Sequence, residues 1–453
     1  MQFSGLSNWN LANNRFVYKA IGIWANVCRF VLAAVFLFSG FVKANDPLGT
    51  VYKLQDYLEA WGLPEWKDTL IPYIGSMAMG AFEFTMGIYL LFGIRRRVSS
   101  ILVLLCMCFM TPLTLWLALD NPISDCGCFG DAVILTNWET FGKNVILLIA
   151  AVSAYRWNRR LVKFVTDKVD WLIGLYTIGS ILFFSLYCLT HLPILDFRPY
   201  YIGADIRQGM EIPEGKKPPV YETRFIYEKD GVQKEFTIDN FPSDSTWKFI
   251  DSKTILKEKG YEPPIHDFTI VSQEDGSDLT DEILDDESYT FLLVAPWLRQ
   301  ADEGAMDLIN ELYDYSVIHG YRFLCLTASG DQDIAFWQEN TGAEYPFALM
   351  DEITLKTMVR SNPGVILLQQ GVVVNKWSAS QIPDEYQLHD ALDKLDIGQV
   401  NRKTVTHKVV ELVAWFVCPL LFFTLLDLIW LRIKAVRKKR REDTEREETK
   451  TAE

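Results

Sequence analysis

The sequence is short of charge and shorter still of histidine. Charged residues make up 23% of its 453 positions and hydrophobic ones 49%. That balance excludes a disordered chain, which would have too little apolar surface to bury. The five histidines, His191, His266, His319, His389 and His407, stand singly. They give no metal-ligand spacing and no Ser-His-Asp order, and no glycine-rich phosphate loop occurs. No internal repeat of solenoid period is present. Basic surplus is missing from the middle of the chain, where 196–405 hold 38 acidic and 19 basic side chains within an overall net charge of −14. A region of that sign repels phosphate, which excludes nucleic acid as a partner.

What the chain has in quantity is apolar runs, confined to 20–192 and 409–432. A bilayer core of about 30 Å takes roughly 20 apolar residues per helix. Stretches near 20–42, 70–93, 98–119, 140–156, 171–192 and 409–432 satisfy this, so the lipid bilayer is the first partner and about six spans are expected. The first run is too long for a cleaved signal and lacks a small-residue cleavage pattern. Basic loops at Arg95-Arg96-Arg97 and 156–168, with the basic tail from Arg432 to Arg441, place those segments in the cytoplasm. Both termini are then cytoplasmic and 196–405 lies outside, periplasmic in a bacterial inner membrane. The expected organisation is a four-helix bundle over 1–160, a fifth span within 161–195, a linker and hairpin at 196–262, an α/β domain at 263–400, a sixth span at 405–433, and a tail at 434–453. The loops 43–69 and 120–139 read as connecting loops, and the residues after 442 as disordered.

The first span closes on Phe38-Ser39-Gly40-Phe41-Val42-Lys43 and Pro47. The second holds Glu83 in Phe82-Glu83-Phe84-Thr85-Met86-Gly87. Asp125-Cys126-Gly127-Cys128-Phe129-Gly130 follows the third, and Trp138, Lys143 and Asn144 open the fourth. This ordered set over about 25–157 resembles the DoxX/MauE superfamily of four-helix membrane proteins, with the MauE branch the nearer because of its Cys-Gly-Cys element. The resemblance implies a link to disulfide formation or electron delivery outside the cytoplasmic membrane.

The residues themselves leave alternatives open. Cys126 and Cys128 lie at a membrane–water boundary on the side where disulfides persist. A bond between them would close a very small, strained and exchangeable ring, with Gly127 supplying backbone freedom. Asp125 and Asp131 would raise the thiol pKa values and slow attack. A redox pair, a static disulfide or two idle thiols, and half of a metal site all fit the pattern, but no histidine lies near in sequence. Glu83 falls mid-span, where a carboxylate is protonated, paired or functional, and Lys43, Arg29 and Asn144 are its natural partners. Cys106 and Cys108 are two apart on a helix and point away from each other. They read as packing residues or, less simply, as a relay toward a quinone. Cys28, Cys188 and Cys418 read as packing.

Beyond the fifth span, Tyr221–Glu228 and Gln233–Ile238 flank Asp230-Gly231, a hairpin signal. From Pro263 the pattern alternates. Strands are expected at Phe291–Val294, Tyr321–Leu326, Val365–Gln369 and Val372–Lys376, and helices at Asp302–Ile318, Gln332–Asn340 and Glu385–Leu395. This is an α/β domain with a mixed sheet. Ala295-Pro296-Trp297 and Asn362-Pro363-Gly364-Val365 resemble the thioredoxin fold of the TlpA type over 263–395. The resemblance implies a cis peptide bond before Pro363 and client binding beside Trp297 and Pro363. The family's Cys-x-x-Cys falls on Leu298, Arg299, Gln300 and Ala301, so the family's dithiol chemistry is absent. The only cysteine there is Cys325, in a strand that reads as buried.

Two functions compete. In one, the chain is a membrane thiol–disulfide or electron-transfer component with Cys126 and Cys128 as the pair. A quinone is its conceivable sink by analogy alone, and a periplasmic protein is its client. In the other it is a non-catalytic scaffold holding the subunits of a membrane complex. Passage of a small solute through the bundle, resting on Glu83 alone, is a weaker third.

Overall fold

The computed structural model describes residues 15–123, 125–229, 232–237, 240, 247–258, 260–400 and 405–452. The chain forms two compact units, Met1–Arg198 with Arg402–Glu453, and Pro199–Asn401.

The first unit is helical: α1 (Arg15–Asn45), α2 (Pro47–Ala60), α3 (Ile71–Phe92), α4 (Arg96–Asp120), α5 (Asn137–Arg156) and α6 (Asp170–Thr190). α1 and α3 pack along most of their length because Gly40 lets the backbones meet. A Cβ at Gly40 would lie 2.3 Å from the Phe84 amide nitrogen, and small residues permit such approaches between membrane helices. α2 corrects the expectation of a loop over 43–69. Asp46 caps it by accepting from the Gly49 amide at 2.9 Å, and Pro47 occupies its first turn. Its 14 residues are too polar to signal a span, which is why the apolar pattern passed over it. α5 opens on a capping box in which Thr136 and Glu139 satisfy each other's amides.

Among the described residues, five helices are long and apolar enough to cross a bilayer: α1, α3, α4, α6 and the last helix of the chain. α5 is the departure from the expected six. Its 20 residues span about 30 Å, but Glu139, Lys143, Asn144 and Arg156 lower its apolarity. It packs against α4 and α1, burying Thr140, Asn144 and Leu147.

The second unit begins with α7 (Ile206–Met210) and a three-stranded antiparallel sheet of β1 (Val220–Lys229), β2 (Val232–Phe236) and β3 (Lys248–Glu258), ordered β2-β1-β3. Lys229 pairs with Val232, as the hairpin required, while Asp230, Gly231 and Ile238 lie outside the described residues. β3 was not anticipated, because its alternating lysines and acids hide the strand pattern. β4 (Val271–Ser272), α8 (Thr280–Leu284), β5 (Tyr289–Val294), α9 (Met306–His319), β6 (Arg322–Thr327), α10 (Asp331–Thr341), β7 (Phe347–Leu349), α11 (Glu352–Met358), β8 (Gly364–Gln369) and β9 (Val372–Ser378) follow. They build a six-stranded mixed sheet ordered β4-β7-β6-β5-β8-β9. β5, β6 and β7 run parallel; β8 runs antiparallel to β5, β9 antiparallel to β8, and β4 antiparallel to β7. The Asn362–Pro363 bond is cis, and Gln370 and Gly371 turn the β8–β9 hairpin at φ of 50° and 72°. Sheet order and cis-proline together make this a thioredoxin-like unit.

The helix expected at 385–395 is not formed. Leu388, Leu392 and Leu395 are all buried. They reach the core from separate short turns, because Asp384 and Asp390 bond to nearby backbone amides and break the run. The chain then re-enters the first unit as α12 (Val405–Ala452). α12 runs well past the expected span, and the residues after 442 are helical rather than disordered. Lysine, arginine and glutamate favour helix and form pairs such as Lys438–Glu442 at 3.6 Å.

The α1–α3 contact yields a stability prediction. Gly40→Ala should destabilise the bundle by about 1–3 kcal/mol through overpacking. Gly22→Ala, with nothing within 4 Å of the added Cβ, should not. Thermal unfolding of the two variants in detergent, followed by circular dichroism, makes the comparison.

Candidate functional site

α1 presents Ser39 and Lys43 four residues apart, hence on one face. α3 brings Glu83 against them. The Lys43 ammonium donates to Glu83 Oε2 at 2.8 Å, to Ser39 Oγ at 2.7 Å and to the Cys128 carbonyl at 2.9 Å. Ser39 Oγ also donates to that carbonyl, at 2.6 Å. Lys43 and Glu83 are buried, with 5% and 8% of their surfaces exposed. One buried ion pair therefore holds the loop that carries the cysteines.

That loop turns at Gly127, whose φ of 67° is left-handed. The turn brings Cys126 and Cys128 together with their Sγ atoms 2.7 Å apart and both thiols free. A disulfide of about 2.05 Å lies within a small shift of this geometry. Asp125 accepts from the Gly127 amide at 2.8 Å and pairs with Lys53 of α2 at 2.9 Å. The Tyr57 hydroxyl donates to the Cys126 carbonyl at 3.3 Å. The Lys143 ammonium sits 4.1 Å from the centre of the Phe129 ring, which packs on Phe38.

The electrostatics correct the expectation of two raised thiols. The hydrogen bond between the two sulfurs and the nearby cations Lys143 and Lys43 push the Cys128 thiol down to about 6. The Cys126 thiol is pushed up by the same hydrogen bond and by burial. Asp125 does not reverse this, since its charge is engaged by Lys53, and Asp131 is exposed.

Below the thiols lies a cavity of about 40 Å³ lined by Ser39, Glu83, Cys106, Cys128, Lys143 and Asn144 among others. Of the three partners expected for Glu83, Lys43 makes the pair. Asn144 lines the same cavity but donates to Thr114 at 3.2 Å. Arg29 lies 14 residues back along α1, about 21 Å away. It donates to the Val162 carbonyl and sits on the Phe30 and Phe164 rings. Cys106 faces the cavity and Cys108 is exposed, as their opposed directions implied. Cys28 and Cys188 are buried; Cys418 is exposed rather than packed. Sequence reasoning gave no role to Ser39, Lys53, Tyr57 or Lys143. Ser39 carried a signal in its spacing from Lys43, whereas Lys53 and Tyr57 carried none, since both belong to the helix read as a loop.

In the second unit Trp297 and Pro363 are brought together. Asn362 Nδ2 donates to the Trp297 carbonyl at 2.9 Å, and the Asp302 amide donates to the Asn362 carbonyl at 2.9 Å. Leu298 is buried and Arg299 pairs with Asp333. Cys325 is fully buried, and burial pushes its thiol up.

The ordered helices, the Cys-Gly-Cys turn and the lysine–glutamate pair now permit comparison with known proteins. Residues 21–156 match the family described as methylamine utilisation protein MauE. This part of the chain is a MauE-type membrane domain. Residues 221–259, which contain most of the β1–β3 sheet, match a domain of unknown function, DUF8463. No curated protein matches the chain. Among solved structures, a candidate protein disulfide isomerase from Bacteroides thetaiotaomicron is similar at 18% identity. The match covers 26% of this chain and 78% of that one, with a TM-score of 0.22.

The asymmetry of the pair is open to measurement. Iodoacetamide should label Cys128 faster than Cys126 at neutral pH, and the Cys128 rate should fall as pH drops through about 6. The sign follows from the thiolate being the reactive form and being lost below the lowered pKa. Mass spectrometry of the peptide carrying both cysteines reads it.

Proposed function

We propose that this chain is a membrane-bound thiol–disulfide exchange protein whose reacting groups are Cys126 and Cys128. The single observation that carries this reading is the contact of two free sulfurs 2.7 Å apart at a turn held by Lys43. The Cys128 thiolate attacks one sulfur of a protein disulfide. A Cys128–substrate disulfide forms, and the other substrate sulfur leaves with the bonding electron pair. Cys126 then loses its proton to water and attacks the Cys128 sulfur. This closes the Cys126–Cys128 bond and releases the second substrate sulfur as thiolate. Two electrons pass from the pair to the substrate, and the reverse sequence oxidises a substrate dithiol.

In this reading α5 also crosses the bilayer as a sixth span, and the chain sits in a bacterial inner membrane with both termini cytoplasmic. The loop 120–139 and residues 196–405 then face the periplasm, as the charge distribution favours. The client is a periplasmic protein, and the thioredoxin-like unit binds it beside Trp297 and Pro363 without reacting. A quinone is not supported as the group that meets Cys128. The cavity of about 40 Å³ beneath the thiols holds a few waters, each needing about 10–15 Å³ on this measure, and not an aromatic ring. A scaffold role remains the second reading, favoured by Leu298 and Ala301 standing where a thioredoxin-like dithiol would be.

Acid-quenched cells carrying Cys126→Ala should accumulate mixed disulfides on Cys128, resolved by non-reducing gels and mass spectrometry. Cys128→Ala should abolish them. Trapping no partner on Cys128, with both variants fully functional, would leave the scaffold. Trp297→Ala should reduce capture of the same partner several-fold without changing the labelling of the pair.

A further inference from the structure

The Lys43–Glu83 pair is deeper than the chemistry needs for fixing a loop. Ser39 already bonds the Cys128 carbonyl, yet a cation and its counter-ion stand below it at 2.8 Å from each other. Burying both is costly. We propose that Lys43 and Glu83 act as one positioning unit that makes Cys128, rather than Cys126, the attacking thiolate. This inference rests on the exchange function proposed above and assigns how its nucleophile is chosen.

The geometry supports it in three ways. The Lys43 ammonium is 2.9 Å from the Cys128 carbonyl, so its charge lies within one residue of that sulfur. Cys128 and Glu83 line the same small cavity, where the local dielectric is low and charge acts strongly. Cys126 is bonded on the other side, through its carbonyl to the Tyr57 hydroxyl, and is not among that cavity's lining residues. The charged and titratable groups around Cys128 come from every neighbouring element. They are Lys43 on α1, Lys53 and Tyr57 on α2, Glu83 on α3, Cys106 on α4, Lys143 on α5, and Asp125 and Cys126 on the loop itself. Lys53 and Asp125 engage each other. That leaves Lys43 and Lys143 as the cations and Glu83 as the opposing charge. Lys43 favours the thiolate and Glu83 limits by how much. Before attack, Lys43 faces two anions, Glu83 and the Cys128 thiolate. Once the disulfide closes it faces one.

The unit predicts shifts of opposite sign. In the full-length protein in detergent, the pH midpoint of Cys128 alkylation by iodoacetamide should rise in Lys43→Met. It should fall in Glu83→Gln, which leaves the lysine with the thiolate as its only anion. Each change should be about 1 pH unit or more, since a charge within about 4–6 Å moves a thiol by 1–3. Lys43→Arg should restore the wild-type midpoint. The double variant Lys43→Met/Glu83→Gln, which strands no buried charge, should fall between the two singles. A pair that only holds the fold would, on loosening, move both single variants upward toward an ordinary thiol. That result, or no movement in either, overturns the proposal. Because the readout needs no partner, it separates failure of this inference from failure of the exchange function, which the mixed-disulfide trap tests.

Discussion

The membrane unit depends on one buried ion pair. Lys43 and Glu83 sit at a helix–helix contact so close that Gly40 is required, and neither charge could remain there alone. Removing water from a carboxylate and an ammonium costs several kcal/mol each, and the attraction offsets this only when the remaining donors are also satisfied. The lysine's other two bonds, to Ser39 and to the Cys128 carbonyl, complete that condition. The cysteine loop is thereby part of what makes the pair tolerable. Loop, α1 and α3 form one polar assembly in an apolar surround.

This has a chemical consequence. Two thiols in contact inside a low-dielectric pocket would both resist ionisation if burial were the only influence. Lys43 and Lys143 favour the thiolate of Cys128, whose thiol is lowered while that of Cys126 is raised. Lys53 takes up the charge of Asp125, which would otherwise oppose the thiolate. The second unit shows the complementary case. It keeps the sheet order and the cis-proline of a thioredoxin-like fold, while Leu298 fills the core where a sulfur would stand and Cys325 is sealed in a strand. The first unit holds two sulfurs in contact, and the second keeps the fold without the dithiol.

Much of the site was legible because membrane insertion makes polar residues conspicuous. Glu83 stood out against an apolar run, and Lys43 was a nearby candidate partner. Cys126 and Cys128 declared themselves by spacing around a glycine. The strands β5, β6, β8 and β9 were readable from apolar blocks and turn residues, and the cis bond at Pro363 from its motif. Patterns failed where polarity and structure parted. α2 was too polar to look like a membrane element, so Lys53 and Tyr57 were invisible. β3 was too charged to look like a strand. The 385–395 segment carried helical spacing but was cut by aspartates that bond their own backbone.

Sequence alone determined the membrane character, the thioredoxin-like sheet and the loss of its dithiol, because hydropathy, turn chemistry and missing cysteines are local properties. The tertiary structure decided which partner Glu83 takes, which cations stand near the thiols and which aspartate is paired. Those outcomes depend on distances between residues far apart in the chain. Lys43, Glu83 and Cys128 meet only because Gly40 lets two helices touch and Gly127 turns a loop back onto them, and electrostatic energies follow separation in space rather than separation in sequence.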